Sequence, residues 1–237
     1  MNDDGKKNLE RASYVESAFS VGIEPYIKSL EKHGIVHRKT ILDVGCGAGQ
    51  WTFAAARLNP EALVIGADID DALLGFATKF KMDGKVKNCT FLKESYENLL
   101  AHFQPESFEV IMCNSVIQYI DEKKAFWIFS RLLTRKGTLL MFYNHGPGYY
   151  LKRSFRGIKN LNRSDAIWGA KTFMASNIRK RFLSVRSQDH FVTLRYLQKI
   201  SGDVGIILDR IQTEPKLAYS DRFLGFAYVF SCKGTKA

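Results

Sequence analysis

At 237 residues the chain has room for one large domain, or for one domain carrying an insertion. Its hydrophobic fraction of 46% is that of a globular core, and no apolar run approaches the length a helix needs to cross a bilayer. The net charge of +11 is unevenly placed: residues 151–186 hold ten basic side chains against Asp165 alone, nine of the eleven net charges, so the basicity belongs to a segment and not to the fold.

Residues 1–38 read as one or two helices, broken near Gly22 and Pro25, that form an N-terminal cap. The opening stretch is polar and has no apolar core of a secretion signal, so a cytoplasmic location is expected. A strand–helix rhythm follows. "TILDV" is a short β-branched strand that ends in a glycine cluster, and "WTFAAARLN" is a helix that stops before Pro60. "ALVIGAD" and "DALLGFATKF" repeat the pair, then "CTFLK" with the short helix "YENLLAHF". "FEVIMCN" precedes the helix "KKAFWIFSRLL", which Gly137 is expected to end, and "TLLMFY" is the fifth strand. Near-continuous apolar strands alternating with helices predict a doubly wound, mostly parallel α/β sheet covered on both faces. The rhythm fails between residues 146 and 188 and resumes with the helix "LRYLQKIS", followed by "GIILDRI" and "LGFAYVFSC", which are suited to an antiparallel edge. The expected division is a cap at 1–38, a Rossmann-like domain at 39–145 and 189–237, and a basic, mainly helical insertion at 146–188. Four scattered cysteines without a C-x-x-C read as buried free thiols of a reducing compartment.

In such a sheet, ligands bind where the first strand turns into its helix. Here that turn holds Gly45, Gly47 and Gly49, and glycine is used where the backbone takes positive φ or comes close to a ligand. The spacing departs from G-x-G-x-x-G because position 50 is Gln, and the Gly-Lys-Ser/Thr of a phosphate loop is absent. Asp43, two residues before the first glycine, disfavours a pyrophosphate and suits a ligand bearing an ammonium group.

"ILDVGCGAGQ" resembles the first motif of the class I S-adenosylmethionine-dependent methyltransferases, and "VIGADID" and "FEVIMCNSVIQYI" resemble that family's second- and fourth-strand motifs. The resemblance implies a seven-stranded sheet whose last strand is antiparallel, with S-adenosyl-L-methionine as methyl donor and S-adenosyl-L-homocysteine as product. It places Asp43, Gly45, Cys46, Gly47, Gly49 and Gln50 at the methionine part of the donor, and Asp68, followed by Ile69, at the ribose hydroxyls. Asn114 and Ser115 fall at the amino-acid end. Ser95 and Tyr96 stand where the family has an acid and a small residue beside the adenine. Several of these residues have plainer readings: Asp68 or Ser95 as a helix cap, Trp51 and Phe53 as core, Cys46 as merely small. Tyr14 belongs either to a lid over the donor or to ordinary packing.

For the acceptor, the sequence narrows by absence. The [DN]-P-P-[FYW] motif of amino-group methylation is replaced by Asn114-Ser115-Val116-Ile117, and a Pro-Cys loop for cytosine methylation, the acids of polyamine-forming enzymes and an Asp/His metal set are all missing. That leaves O-, N- or C-methylation of a small or carrier-linked molecule. His145, just past the fifth strand, reads either as the candidate general base or as a loop histidine bonding nearby backbone, Gln118 and Tyr119 are candidate acceptor contacts, and His190 is a weaker candidate. The basic insertion has three functional readings beside that of a merely solvated charged face: a cover for an anionic or lipid-linked acceptor, a membrane-surface element with Phe173, Ile178, Phe182 and Val185 opposite Arg179 and Lys180, or an RNA grip. The last is disfavoured because no RNA-binding module is present. A donor-binding regulatory protein without catalysis is the remaining alternative.

Overall fold

In a computed structural model, the structure describes residues 3–84, 86–182, 190–211, 222–224, 226–227 and 229–237. The elements run, in chain order, α1 (Asp3–Phe19), α2 (Glu24–Lys32), β1 (Thr40–Val44), α3 (Gln50–Leu58), β2 (Leu63–Asp68), α4 (Asp71–Gly84), β3 (Cys89–Lys93), α5 (Leu99–His102) and β4 (Phe108–Met112). They continue with α6 (Glu122–Leu132), β5 (Leu133–His145), α7 (Pro147–Lys159), α8 (Arg163–Phe182), α9 (Leu194–Gly202), β6 (Ile206–Ile211), β7 (Arg222–Phe223), β8 (Phe226–Ala227) and β9 (Val229–Lys236). Single 3₁₀ turns lie at Tyr96–Asn98 and Ile117–Tyr119.

Seven strands form one sheet in the order β3-β2-β1-β4-β5-β9-β6, with β7 and β8 paired separately. β1 pairs in parallel with β2 and with β4, β2 pairs in parallel with β3, and β6 pairs antiparallel with β9. This is the expected α/β class, with the antiparallel edge where the sequence placed it. The strands read as continuous apolar runs because both faces are covered: Ile41, Leu42, Val64, Val110, Ile111 and Met112 are all buried.

The chain divides into two compact units, residues 1–113 with 131–139, and residues 114–130 with 140–237. In the first, α1 and α2 are separated at Gly22, whose φ is +69°, and Pro25 occupies the first turn of α2, where a missing N–H costs nothing. In the second, α7 and α8 form a hairpin. Gly157 lies against Ala166 and Gly169 against the Tyr150 carbonyl, so close that a methyl group would collide with backbone at either place.

Two local expectations need correction. Gly137 does not end α6. The helix stops at Leu132 and the chain enters β5 at once, with Lys136 at φ +62° and the Gly137 α-carbon packed against the Thr134 carbonyl, the geometry of a tight bend within the strand entry. Phe173 does not lie on an outward stripe, since its ring packs 5.8 Å from that of Phe191. The Ile178, Arg179, Lys180, Phe182 and Val185 side chains of the same expectation lie outside the described residues. The four cysteines are buried and form no disulfide.

Candidate functional site

The first unit builds a cradle from β1, β2 and the turn between β1 and α3. The Gly45 and Cys46 amides donate to the Ala67 carbonyl at 2.7 and 3.1 Å, which ties the turn to the end of β2. Gly47 sits at φ +54° and Gly49 at φ +87°, left-handed positions that a side chain adopts at a cost, and Gly49 serves as N-cap of α3. The Gly47 amide donates to Asp68 Oδ2 at 2.8 Å, and the Asp70 amide donates to Asp68 Oδ1 at 2.8 Å. Asp70, not Asp68, caps α4, accepting from the Ala72 and Leu73 amides at 3.1 and 3.2 Å. Asp68 is therefore held at the end of β2 facing the glycine turn, and the cap reading of it is displaced by its neighbour.

Asp43 lies beneath this turn and is buried. It accepts from the Thr52 hydroxyl at 2.7 Å. Burial pushes its carboxyl up to about 7, and the charge of Asp68 acts in the same direction. Cys46 is buried with its thiol pushed well up, again by burial, so it carries no reactive thiolate. Trp51 and Phe53 belong to the core; Phe53 and Phe91 meet edge to face at 5.5 Å directly under Gly49. Ile69 is exposed. Ser95 caps the 3₁₀ turn by accepting from the Glu97 amide, and Tyr96 borders Glu97.

Helix α1 crosses this cradle. Arg11 pairs with Asp70 at 2.9 Å, Phe19 stacks on Phe80 at 4.4 Å, and the Tyr14 hydroxyl accepts from Gln50 Nε2 at 2.8 Å. A β-carbon on Gly47 would lie 2.9 Å from that hydroxyl. Burial raises the Tyr14 hydroxyl above its ordinary range, so it stays protonated at neutral pH. The other atom of the Gln50 amide, Oε1, is buried with no hydrogen-bond partner among the described residues.

The second unit gathers a separate set. Ser115 and Tyr143 both take φ +57°, a strained backbone for side-chain-bearing residues, and the Ser115 amide donates to the Phe142 carbonyl at 2.9 Å. Asn114 Oδ1 accepts from the Phe142 amide at 2.8 Å, while its Nδ2 is buried without a partner. Gln118 is fully buried: its Nε2 donates to the Ser115 carbonyl at 2.7 Å and its Oε1 is unpartnered. Tyr119 is half-exposed, 6.3 Å ring to ring from His145. His145 stacks on Tyr149 at 3.8 Å, meets Tyr150 edge-on, and has a buried Nδ1 without a partner. Burial, with a smaller contribution from the Arg153 charge, pushes the imidazole down to about 4, so it is neutral at physiological pH.

Chain return at residues 190–192 stitches this set together. The His190 amide donates to the Gln118 carbonyl at 3.1 Å, the Val192 amide to the His145 carbonyl at 3.0 Å, and the Tyr150 hydroxyl to the His190 carbonyl at 3.1 Å. The His190 ring lies 2.6 Å from Glu122, both buried. Glu122, Tyr149 and Tyr150 escaped the sequence reading. The His190–Glu122 contact joins positions 68 residues apart, and no local pattern announces it. Among the described residues, no group of three His, Cys, Asp or Glu side chains is placed to hold a metal ion.

The pattern that defines the methyltransferase-domain family matches residues 35–181, more than half of the chain. A probable S-adenosylmethionine-dependent methyltransferase of Saccharomyces cerevisiae is 27% identical over 146 residues, covering 60% of this chain and 48% of that protein. A ubiquinone biosynthesis O-methyltransferase of Nitrosospira multiformis is 26% identical over 140 residues, covering 54% and 57%. The chain thus spans about half the length of these curated relatives. In the crystal structure of magnesium protoporphyrin IX methyltransferase from Synechocystis with bound S-adenosylhomocysteine, the same fold recurs at a TM-score of 0.55 and 14% identity, covering 95% of this chain and 84% of that one. The chain belongs to the class I S-adenosylmethionine-dependent methyltransferases.

Proposed function

We propose that the chain transfers a methyl group from S-adenosylmethionine to a hydroxyl or amine of a small or carrier- or lipid-linked acceptor. The observation that carries the reading is the cradle of the first unit, where Asp68 faces a left-handed glycine turn and the Gln50 Oε1 atom is buried and unsatisfied. The residues fit the donor. The sulfonium compound, when bound, supplies an electrophilic methyl group. Asp68 accepts from a vicinal diol as a charge-assisted pair, and the Gly45–Gly49 backbone and Gln50 hold the amino-acid part. Asp43 keeps the turn in shape through Thr52 and the strand end. Its carboxyl, poised near neutrality, ionises more readily once a cation lies nearby.

On the acceptor side we assign Gln118, Tyr119 and His145. Neutral His145 has an unpartnered Nδ1 that accepts a proton from an acceptor hydroxyl or ammonium, and Gln118 Oε1 orients a donor group of that molecule. Burial of both atoms excludes water, which favours transfer over hydrolysis. The relative named for ubiquinone biosynthesis O-methylation supports a small biosynthetic acceptor.

The test is calorimetry of the folded protein with S-adenosylmethionine and S-adenosylhomocysteine, followed by mass spectrometry of a panel of phenol, carboxylate and amine acceptors. Both ligands should bind, and Asp68→Ala should weaken binding by roughly 1.5–3 kcal/mol, the worth of hydrogen bonds to a charged group. An unchanged affinity would leave Asp68 a purely structural tie. Tight donor binding with no product from any acceptor would favour a regulatory protein instead.

A further inference from the structure

The α7–α8 hairpin presents a surface that neither the cradle nor the acceptor set uses. Leu151, Phe155 and Ile158 follow the i, i+4, i+7 spacing along α7, and Ile167, Lys171 and Met174 follow the same spacing along α8 with Arg163 one turn before them, so each group forms one stripe of its helix. Their exposures are far above what a core-facing stripe shows: 63% for Ile158, 57% for Ile167, 63% for Met174, and 91% for Leu161 at the hairpin turn. Phe155 is 52% exposed. The buried sides of the two helices are accounted for separately. Gly157 and Gly169 bring the backbones together, the Ser154 hydroxyl donates to the Ala166 carbonyl at 2.8 Å, and Arg153 lies over Trp168 at 4.0 Å while pairing with Asp165 at 2.8 Å. The outward stripes are therefore not a misplaced core.

Charge selects the occupant. Beside the exposed apolar residues stand Arg156, Lys159, Arg163 and Lys171, all exposed, and Asp165 is the only acid in residues 147–182, already engaged by Arg153. Cations interleaved with aliphatic side chains on the outer face of a helical pair match an anionic lipid interface, in which the apolar groups enter the acyl boundary and the cations meet the headgroups. A single-stranded nucleic-acid face interleaves stacking rings with its cations, and among the described residues of the hairpin the exposed apolar positions beside the cations are aliphatic except for Phe155. A protein partner of the same polarity would have to be acidic and apolar together, and this chain shows no such patch in the hairpin. We propose that the α7–α8 hairpin docks the enzyme on anionic membrane surfaces through Phe155, Ile158, Leu161, Ile167 and Met174, flanked by Lys159, Arg163 and Lys171. The proposal is independent of the donor assignment.

The experiment is flotation of the full chain with vesicles of phosphatidylcholine alone and of phosphatidylcholine and phosphatidylglycerol in equal parts, at low and at physiological salt. The chain should float with the mixed vesicles and not with phosphatidylcholine alone. A Lys159→Gln, Arg163→Gln, Lys171→Gln variant should lose roughly a hundredfold in partitioning, at the usual contribution of each cation near an anionic surface. An Ile158→Ser, Leu161→Ser variant should lose binding that high salt leaves in the wild type. Both variants change exposed side chains and should keep the wild-type circular dichroism and donor affinity. Three results would overturn the proposal: no flotation of wild type at low salt, flotation untouched by either variant, or tighter binding to a single-stranded RNA oligonucleotide that both variants abolish. A wild-type dimer at the flotation concentration that the Ser variant dissociates would also overturn it, by assigning the stripe to a second copy.

Discussion

Replacing Gly47 with Ala tests whether the donor cradle and helix α1 are one structure. The substitution acts twice. It places a side chain at φ +54°, which costs about 1–2 kcal/mol for an ordinary L-residue. It also puts a methyl group 2.9 Å from the Tyr14 hydroxyl, so Tyr14 must swing away and forfeit the hydrogen bond from Gln50, worth about 1 kcal/mol net. The expected loss in unfolding free energy is roughly 2–3 kcal/mol. The two terms separate in a Tyr14→Phe background. The hydroxyl is then gone and the nearest remaining ring atom lies 3.4 Å from the new methyl group, an ordinary contact. Gly47→Ala should therefore cost only the backbone share, about 1–2 kcal/mol, and the cycle should show a coupling near 1 kcal/mol. Urea denaturation of the four proteins measures it, and calorimetry with the donor should show weakened binding for Gly47→Ala in either background. A coupling within about 0.3 kcal/mol of zero would refute the reasoning, because Tyr14 would then not rest on the turn.

Other outcomes follow from the same geometry. His145→Ala should lower turnover on the true acceptor by about 10²–10⁴-fold with donor affinity nearly unchanged, and wild-type kcat should be flat in pH above about 5 as regards this group, since burial holds its imidazole down to about 4. In the donor-free protein, Asp43 and His145 act on stability with opposite signs. The Asp43 carboxyl, raised from 3.8 to about 7, contributes stability that is complete below pH 3.8 and is lost as pH rises through 7. The His145 imidazole, lowered from 6.5 to about 4, contributes stability present above pH 6.5 and lost as pH falls through 4. Between those limits they offset each other, so the stability of Asp43→Asn relative to wild type should climb with pH by up to about 1.4 kcal/mol per unit. Parallel pH profiles in urea denaturation would show that Asp43 is ionised in the folded chain.

What local sequence determines here is whatever depends on neighbours in the chain. The strands announce themselves because a sheet covered on both faces demands uninterrupted apolar runs, and the first ligand turn because Gly47 and Gly49 take backbone angles that other residues adopt at a cost. The antiparallel edge formed by β6 and β9 was legible from two successive apolar segments after the last helix, although β6 is covered on one face only. Where two local readings were equally cheap, tertiary structure chose. Asp68 and Asp70 both stand before α4, and either can cap it. The fold gives the cap to Asp70 and turns Asp68 to the Gly47 amide, because β2 ends beside the glycine turn of β1. Gly137 reads as a helix stop in isolation, yet the strand bonding of β5 reaches back to Leu133 and makes it a bend. Contacts between distant positions were not specified: Tyr14, open as lid or packing, rests on Gly47, and His190 lies against Glu122. Each requires two elements to be packed before the pair exists, and one-dimensional spacing carries no trace of that packing. The positive charge of the 151–186 segment was plain in composition, but its interleaving with exposed Ile158, Leu161, Ile167 and Met174 depended on which faces of α7 and α8 the glycines press together.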